Sequence, residues 1–249
     1  MNRFIYFILL ATMANPISAS PFELVSKTTN SKSLTFMAPN LDTIVKDGFT
    51  RLTTPEKGST TENGMPELPV FTSYFQMDAG ISYDVTYSIV SSHVIEDMEI
   101  YPYQGEPVIG VEKPFLKNMN FYNSNTNYPE IKLTVSEPMI MRDIEVGLIS
   151  LTPYDYNAIT KSLTVYDEVE INIVESGERE MTTSLPPKRS KIFEPFYEDL
   201  IVDYEPLSTR DEYQPAAIMY ICGGGSSSHP YVQELVEWRR KQGYIVYLI

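Results

Sequence analysis

From about Ser33 to Glu175 apolar and polar side chains alternate with a period of two. Ile81, Tyr83, Val85, Tyr87 and Ile89 are interleaved with Ser82, Asp84, Thr86 and Ser88, as a strand with one buried and one wet face requires. Ile131, Leu133 and Val135 repeat the pattern around Lys132 and Thr134, and Val169, Ile171 and Ile173 repeat it around Glu170 and Asn172. In Ile144–Leu151 the phase flips after Leu148, beside Gly147; a bulge or bend is the expected cause. Turn residues separate the runs at Asp47-Gly48, Asn63-Gly64, Pro102 to Gly105, Asn123 to Pro129 and Pro153 to Lys161. Many short strands with no helical period between them predict an antiparallel β-sandwich or jelly roll over residues 20–176. Its longest weakly patterned stretch, Gln104 to Pro129, predicts a functional loop or a disordered one.

The pattern changes class twice more. Residues 177–213 hold Pro186-Pro187, Lys188-Arg189, Lys191, Pro195, Pro206 and Arg210 and read as an extended, semi-rigid linker open to proteases. Beyond it, Ala216–Cys222 is a continuous apolar run, as in a strand buried on both faces. Pro230 suits a first helical turn capped by Ser228 or His229. Tyr231, Leu235 and Trp238 share one helical face, widened by Val232 and Val236. Arg239, Arg240 and Lys241 favour the last turn, where the helix dipole attracts cations. Gly243 ends the helix, and Tyr244–Ile249 is a second apolar strand. Residues 214–249 therefore predict a βαβ unit with a parallel pair. Two strands and one helix leave a face and an edge open, so the unit is expected to begin a larger α/β domain.

Composition narrows the classes. The 249 residues carry a formal charge of −14, which disfavours nucleic acid as a partner. Cys222 is the single cysteine and cannot form an intramolecular disulfide. At the N-terminus, Arg3, the apolar run Phe4–Ala14, the breaker Pro16 and the small residue Ala19 fall in the order of a secretory signal with cleavage after Ala19. The run is too short for a permanent membrane anchor, so export, to the medium or the cell envelope, is expected, with a mature charge of about −15.

Candidate chemistry is sparse. Cys222 ends a buried strand, a structural setting rather than the exposed, electropositive one of a reactive thiolate. His93 and His229 are too far apart in sequence to suggest a metal motif, and surface and capping roles are expected for them. Gly223–Ser228 sits where a phosphate cradle would, but Ser228 replaces the third glycine of that fingerprint and no Lys-Ser/Thr pair follows; it reads as a turn. Glu96, Asp97 and Glu99 read as a solvated face. No cofactor or metal is expected.

Three stretches carry a family resemblance. Gly64-Met65-Pro66-Glu67-Leu68-Pro69-Val70 is similar to the Gly-x-Pro-x-Leu-Pro signature in the prodomains of gingipain-type (C25) cysteine peptidases. Pro153-Tyr154-Asp155-Tyr156-Asn157 followed by Leu163-Thr164-Val165-Tyr166 resembles their late hairpin, with Ala158 where the family often has Pro. Met219–Ile221 and Trp238–Tyr244 resemble the first strand, helix and turn of their caspase-like catalytic domain.

The resemblance implies a β-sandwich prodomain that keeps the downstream catalytic domain latent and helps it fold, its partner being that domain. It implies no catalysis by this stretch itself, since the family's catalytic Cys and His lie further on. It also implies maturation after a basic residue, with Arg210 first and Arg189 and Lys191 next, and an inhibitory side chain on the long loop, Lys113 or Lys117 with Arg142 behind them. Two rivals stand beside it. One is an exported module binding carbohydrate or surface polymers through its tyrosines, although Tyr83 and Tyr87 share a face with Ile81 and Val85 and so favour core. The other is an inactive remnant.

Overall fold

The computed structural model describes residues 20–54, 58–106, 109–110, 114–181, 184–186, 188–209 and 213–249. Two antiparallel sheets face each other across one apolar core. In the first, β1 (Phe22–Lys27), β2 (Ser31–Met37), β12 (Ser162–Glu178), β11 (Tyr154–Asn157) and β7 (Asn127–Tyr128) lie in that spatial order, and β6 (Ile81–Ile95) runs along the other side of β12. The second holds β5 (Phe71–Met77), β10 (Ile144–Leu151), β8 (Leu133–Val135) and β9 (Met139–Met141), with β10 central. A hairpin of β3 (Asp42–Lys46) and β4 (Phe49–Thr53) turns through Asp47 and Gly48, both at positive φ. A short α1 (Met119–Tyr122) lies in the long loop.

The period-two pattern explains the core. Val169, Ile171 and Ile173 of β12 are completely buried, beside Leu34 and Phe36 of β2. They meet Phe71 and Phe75 of β5 and Ile149 and Leu151 of β10 from the opposite sheet. Phe22, Phe36 and Phe71 form a tilted aromatic row with centroids 5.1 Å apart at each step. The late hairpin closes without proline. Asn157 Oδ1 accepts from the backbone N–H of Ile159 and Thr160, Lys161 takes positive φ, and Ala158 is buried in the core. A side-chain turn of this kind supplies what a proline ring would otherwise fix.

Several expectations are corrected. The phase flip in Ile144–Leu151 is not a bulge, because β10 keeps unbroken register with β5 from Glu145↔Met77 to Leu151↔Phe71. Both faces of β10 are covered instead. Ile149 and Leu151 enter the core between the sheets, while Ile144 and Val146 belong to a second cluster with Tyr197 and Ile201. Ile131 precedes β8 and is exposed. Tyr87 and Ile89 lie on the core-facing side of β6 yet remain largely open.

The stretch expected to be an open linker is in large part packed. A 3₁₀ turn (Lys191–Phe193) and α2 (Glu194–Leu200) lie on the outer side of the second sheet. Ile201 bridges Tyr74, and Val202 N–H donates to the Tyr74 carbonyl at 2.9 Å, so the segment also covers the edge of β5. Three buried carboxylates fix it. Asp143 accepts from Ser190 N–H at 2.6 Å and from the Tyr197 hydroxyl. Glu194 accepts from the Tyr204 hydroxyl. Asp203 Oδ1 accepts from Gln76 N–H at 2.7 Å, and its Oδ2 stands 2.6 Å from Lys32 Nζ, an ion pair without hydrogen-bond alignment. Proline content signalled an extended chain; the apolar residues Phe193, Tyr197 and Ile201, spaced every four positions, placed one face of it on the sheet.

The C-terminal unit forms as the pattern predicts. β13 (Ala217–Tyr220) and β14 (Ile245–Leu248) are parallel, with α3 (Pro230–Lys241) between them, and the His229 ring accepts from Tyr231 N–H as N-cap. Of the expected helical face only the widening pair packs. Val236 is buried and Val232 half-buried, whereas Tyr231, Leu235 and Trp238 face solvent. β13 is not covered on both sides, since Met219 and Ile221 are exposed. Among the described residues no helix is long and apolar enough to cross a membrane.

Candidate functional site

The signature segment explains itself from the backbone up. Gly64 has φ +77°, and a Cβ there would meet the backbone N of Asn118 at 3.0 Å; only glycine fits both demands. Its N–H donates to the Tyr103 carbonyl at 2.8 Å and its carbonyl accepts from Asn118 N–H at 2.9 Å. Gly64 to Pro69 is buried throughout, with Leu68 fully enclosed in the core. Glu67 pairs with Arg51 at 2.7 Å, and its carboxylate holds the Arg51 guanidinium above the ordinary arginine range. The segment is thus a fixed floor that ties both ends of the loop beginning at Gln104.

That loop is closed at its neck by a side chain. Gln104 Oε1 accepts from Leu116 N–H at 2.8 Å, and Gln104 Nε2 donates to the carbonyls of Leu116 at 2.9 Å and Pro102 at 2.7 Å. One amide therefore satisfies both backbone groups of Leu116, as a neighbouring strand would. Phe115 stacks on Phe49 with centroids 5.6 Å apart and meets Tyr101 edge-on. Beyond this neck Ile109 is fully exposed, and Gly110 turns the chain with φ +78°.

The residues singled out from the sequence fall in different places. Lys117 does not project from the loop. Its ammonium lies 4.5 Å from the Tyr122 ring centroid, 4.8 Å from that of Phe49 and 3.6 Å from Glu99 Oε1, so it belongs to the neck. Lys113, Ala19 and Arg210 lie outside the described residues. Arg142, at positive φ, lays its guanidinium over the Phe193 ring at 4.3 Å. Arg189 is paired through its backbone, its carbonyl accepting from Gln214 N–H at 2.7 Å, and its guanidinium lies over Tyr204. Lys191 begins the 3₁₀ turn, with its ammonium 5.8 Å from the Tyr213 ring. The Tyr213 hydroxyl accepts from Leu207 N–H at 2.9 Å and donates to the Leu207 carbonyl at 3.2 Å, which ties the two ends of the stretch containing position 210.

The remaining candidates have structural partners. His93 Nδ1 contacts both carboxylate oxygens of Asp167 at 2.8 and 2.9 Å on the surface. Cys222 is half-exposed just beyond β13, and its N–H donates to the Ile249 carbonyl. Glu99 pairs with Lys161 at 3.1 Å as well as with Lys117. Among the described residues no group of three or more His, Cys, Asp or Glu side chains is arranged to hold a metal ion. Tyr154, Tyr156 and Tyr197 are wholly buried. Burial pushes the Tyr154 and Tyr156 phenols above their ordinary pKa; for Tyr197 burial acts together with Asp143. These rings are core and do not form a binding platform. Sequence reading missed the Gln104 clasp, because a single glutamine beside a turn carries no pattern of its own.

The family model of the C25 propeptide matches residues 24–210. Gingipain R2 of Porphyromonas gingivalis is 24% identical over 195 residues, covering 74% of this chain and 25% of that protein. Gingipain R1 of Porphyromonas gingivalis is 24% identical over 190 residues, 74% of this chain and 19% of the relative. The chain thus spans about a quarter or less of these relatives' length. Among solved structures, the complex of Porphyromonas gingivalis RgpB pro- and mature domains matches with TM-score 0.60 and 23% identity, covering 74% of this chain and 98% of the matched one. A structure addressing the zymogenic latency of gingipain K from Porphyromonas gingivalis matches with TM-score 0.55 and 18% identity, covering 65% and 96%. At these identities the likeness is one of fold.

Proposed function

The chain belongs to the C25 propeptide family, and on that premise we propose that it serves as the latency and folding domain of a gingipain-like cysteine peptidase, exported behind a signal cleaved after Ala19. The family match across residues 24–210 carries the reading. The rigid neck under the Gln104–Leu116 loop supports it further, because a loop that must enter a substrate cleft and resist being cut has to be held in one shape before binding. In this reading Lys113 is the inserted side chain and Lys117 a neck residue, already committed to Phe49, Tyr122 and Glu99. Arg210 is the maturation site. It lies between Leu207 and Tyr213, which the Tyr213 hydroxyl ties together, whereas Arg189 is engaged through both backbone and side chain. The βαβ unit at residues 214–249 is then the start of the catalytic domain, and that domain is the partner.

The test is inhibition of the mature peptidase of the same precursor by the added chain. Nanomolar to micromolar inhibition is expected, weakened at least tenfold by Lys113→Ala. Gln104→Ala should weaken it less and expose residues 105–115 to proteolysis. Absence of inhibition at 10 µM chain, roughly a hundredfold above the affinity common for standard-sized interfaces, would overturn the proposal.

A further inference from the structure

Residues 190–204, the buttress on the outer side of the second sheet, reach the sandwich through one short stretch of chain. β12 ends at Glu178, and Arg179 N–H donates to the Gly80 carbonyl at 2.7 Å. Fixed contacts with the second sheet resume at Ser190, whose N–H meets Asp143. In between, residues 184–186 take neither helix nor strand, and Lys188 is exposed. The buttress completes the sandwich as well as lying on it. Lys32 is 7% exposed, with its ammonium 5.8 Å from the Phe75 ring centroid and 5.6 Å from that of Tyr83; Asp203 is the carboxylate that faces it. Lys27 joins the same group through the Asp203 carbonyl at 3.1 Å and Glu205 at 3.2 Å. Val202 covers the edge of β5, and Tyr197 and Ile201 cover Ile144 and Val146. A sandwich stripped of the buttress would keep a buried ammonium without its counter-ion, an open strand edge and an uncovered apolar face at once.

The junction at Arg189 is closed from the C-terminal side. Arg189 bridges Tyr213 in parallel, and its carbonyl accepts from Gln214 N–H at 2.7 Å. A peptidase binds its substrate as extended backbone with free N–H and C=O groups, so this pairing competes with cutting beside Arg189. Positions 213 and 214 lie beyond Arg210, on the catalytic-domain side of the maturation site.

We propose that the Lys188–Arg189 bond is a second processing site, and that its cleavage disarms the propeptide. The inference rests on the latency reading above. After a cut at Arg210 the buttress stays joined to the sandwich, while Tyr213 and Gln214 belong to the peptidase. Departure of the peptidase carries them away from Arg189 and frees its backbone. Hydrolysis then adds water across the Lys188–Arg189 amide, leaving the Lys188 carboxylate and the Arg189 ammonium. Until that step a short tether holds the buttress at an effective concentration in the millimolar range; afterwards it is a separate peptide that dilution removes. The position of the cut thus decides the outcome. Cleavage at Arg210 leaves a complete inhibitor, whereas cleavage after Lys188 leaves a sandwich without its counter-ion and edge cover, and release becomes irreversible.

The test uses the full chain with the recognition sequence of a site-specific protease inserted after Lys188 or after Thr209, each compared with its own uncut form. Cutting after Thr209 should leave the urea midpoint unchanged. Cutting after Lys188 should lower it by about 1–2 M at 1 µM chain and let residues 189–249 separate on gel filtration. Adding a peptide of residues 189–210 at 100 µM should restore the midpoint. Gln214→Pro removes the N–H that holds the Arg189 carbonyl, and limited trypsin digestion followed by mass spectrometry should show cleavage at Lys188–Arg189 at least fivefold faster. A chain cut after Lys188 that stays one species with an unchanged midpoint, equal losses from the two cuts, or equal tryptic rates with and without Gln214→Pro would each overturn the proposal. These arms contain no gingipain-like peptidase. If they come out as expected but the uncut chain fails to inhibit the mature peptidase, the latency reading falls and the cut-dependent collapse stands.

Discussion

The sandwich and the C-terminal βαβ unit are built from equally regular patterns but reach different ends. In the sandwich one continuous cluster joins β1, β2, β5, β10, β11 and β12, and the segment 190–204 adds a second cluster on the outer side of β10. In the βαβ unit only Val236 and Val246 are buried, while Met219, Ile221, Leu235, Trp238 and Tyr247 are exposed. Local pattern is enough to form strand, helix and parallel strand; burial comes only from layers on both sides. Stability in this chain therefore resides in the propeptide and its buttress.

Asp203→Ala should have the largest effect. It leaves Lys32 buried without its carboxylate and frees the backbone N–H of Gln76, and removal of one partner of a buried ion pair costs about 3–5 kcal/mol. Urea unfolding should show the loss, with the equivalent substitution of exposed Glu234 in α3 as the unaffected control. Gly147→Ala comes next. A Cβ there would stand 2.5 Å from the ring of Phe75, which is paired opposite Gly147 on β5 and fully buried in the core. Overpacking of this kind costs about 1–3 kcal/mol, read as a lower midpoint at unchanged slope.

A smaller effect separates the regions by pH. Burial, foremost, raises the Tyr83 and Tyr166 phenols from about 10 to about 12. The folded state thus keeps protons that the unfolded chain releases near pH 10. The stabilisation is complete below pH 10 and is lost as the pH rises toward 12. Tyrosinate absorbance at 295 nm should rise in two phases, the later one coinciding with loss of the sandwich circular dichroism. A single phase near pH 10 with retained structure would contradict the assignment.

Much of this was legible in the sequence, for reasons that can be named. The pattern Val169-Ile171-Ile173 identifies a strand because one face is buried, and His229-Pro230 identifies a helix start because capping is local chemistry. The reading failed where burial depends on what lies across from an element. Tyr87 and Ile89 have the alternation of core residues but extend beyond the opposing sheet. Tyr231, Leu235 and Trp238 form a helical stripe, yet α3 packs through Val232 and Val236. The phase change in β10 recorded a second covered face, which α2 supplies from about fifty residues later. At the site, the Gly64 signature was readable as a motif, but its task at the loop neck required the position of Asn118, and Lys117 could not be distinguished from a projecting lysine without Phe49 and Tyr122.

Native-state hydrogen exchange on the intact chain tests the division between the two regions most directly. Amides of β5, β10, β12 and the 201–203 segment should exchange only through global unfolding, while those of β13, α3 and β14 exchange through local opening, orders of magnitude faster. Equal protection across residues 20–249, moving together as urea is added, would contradict the account.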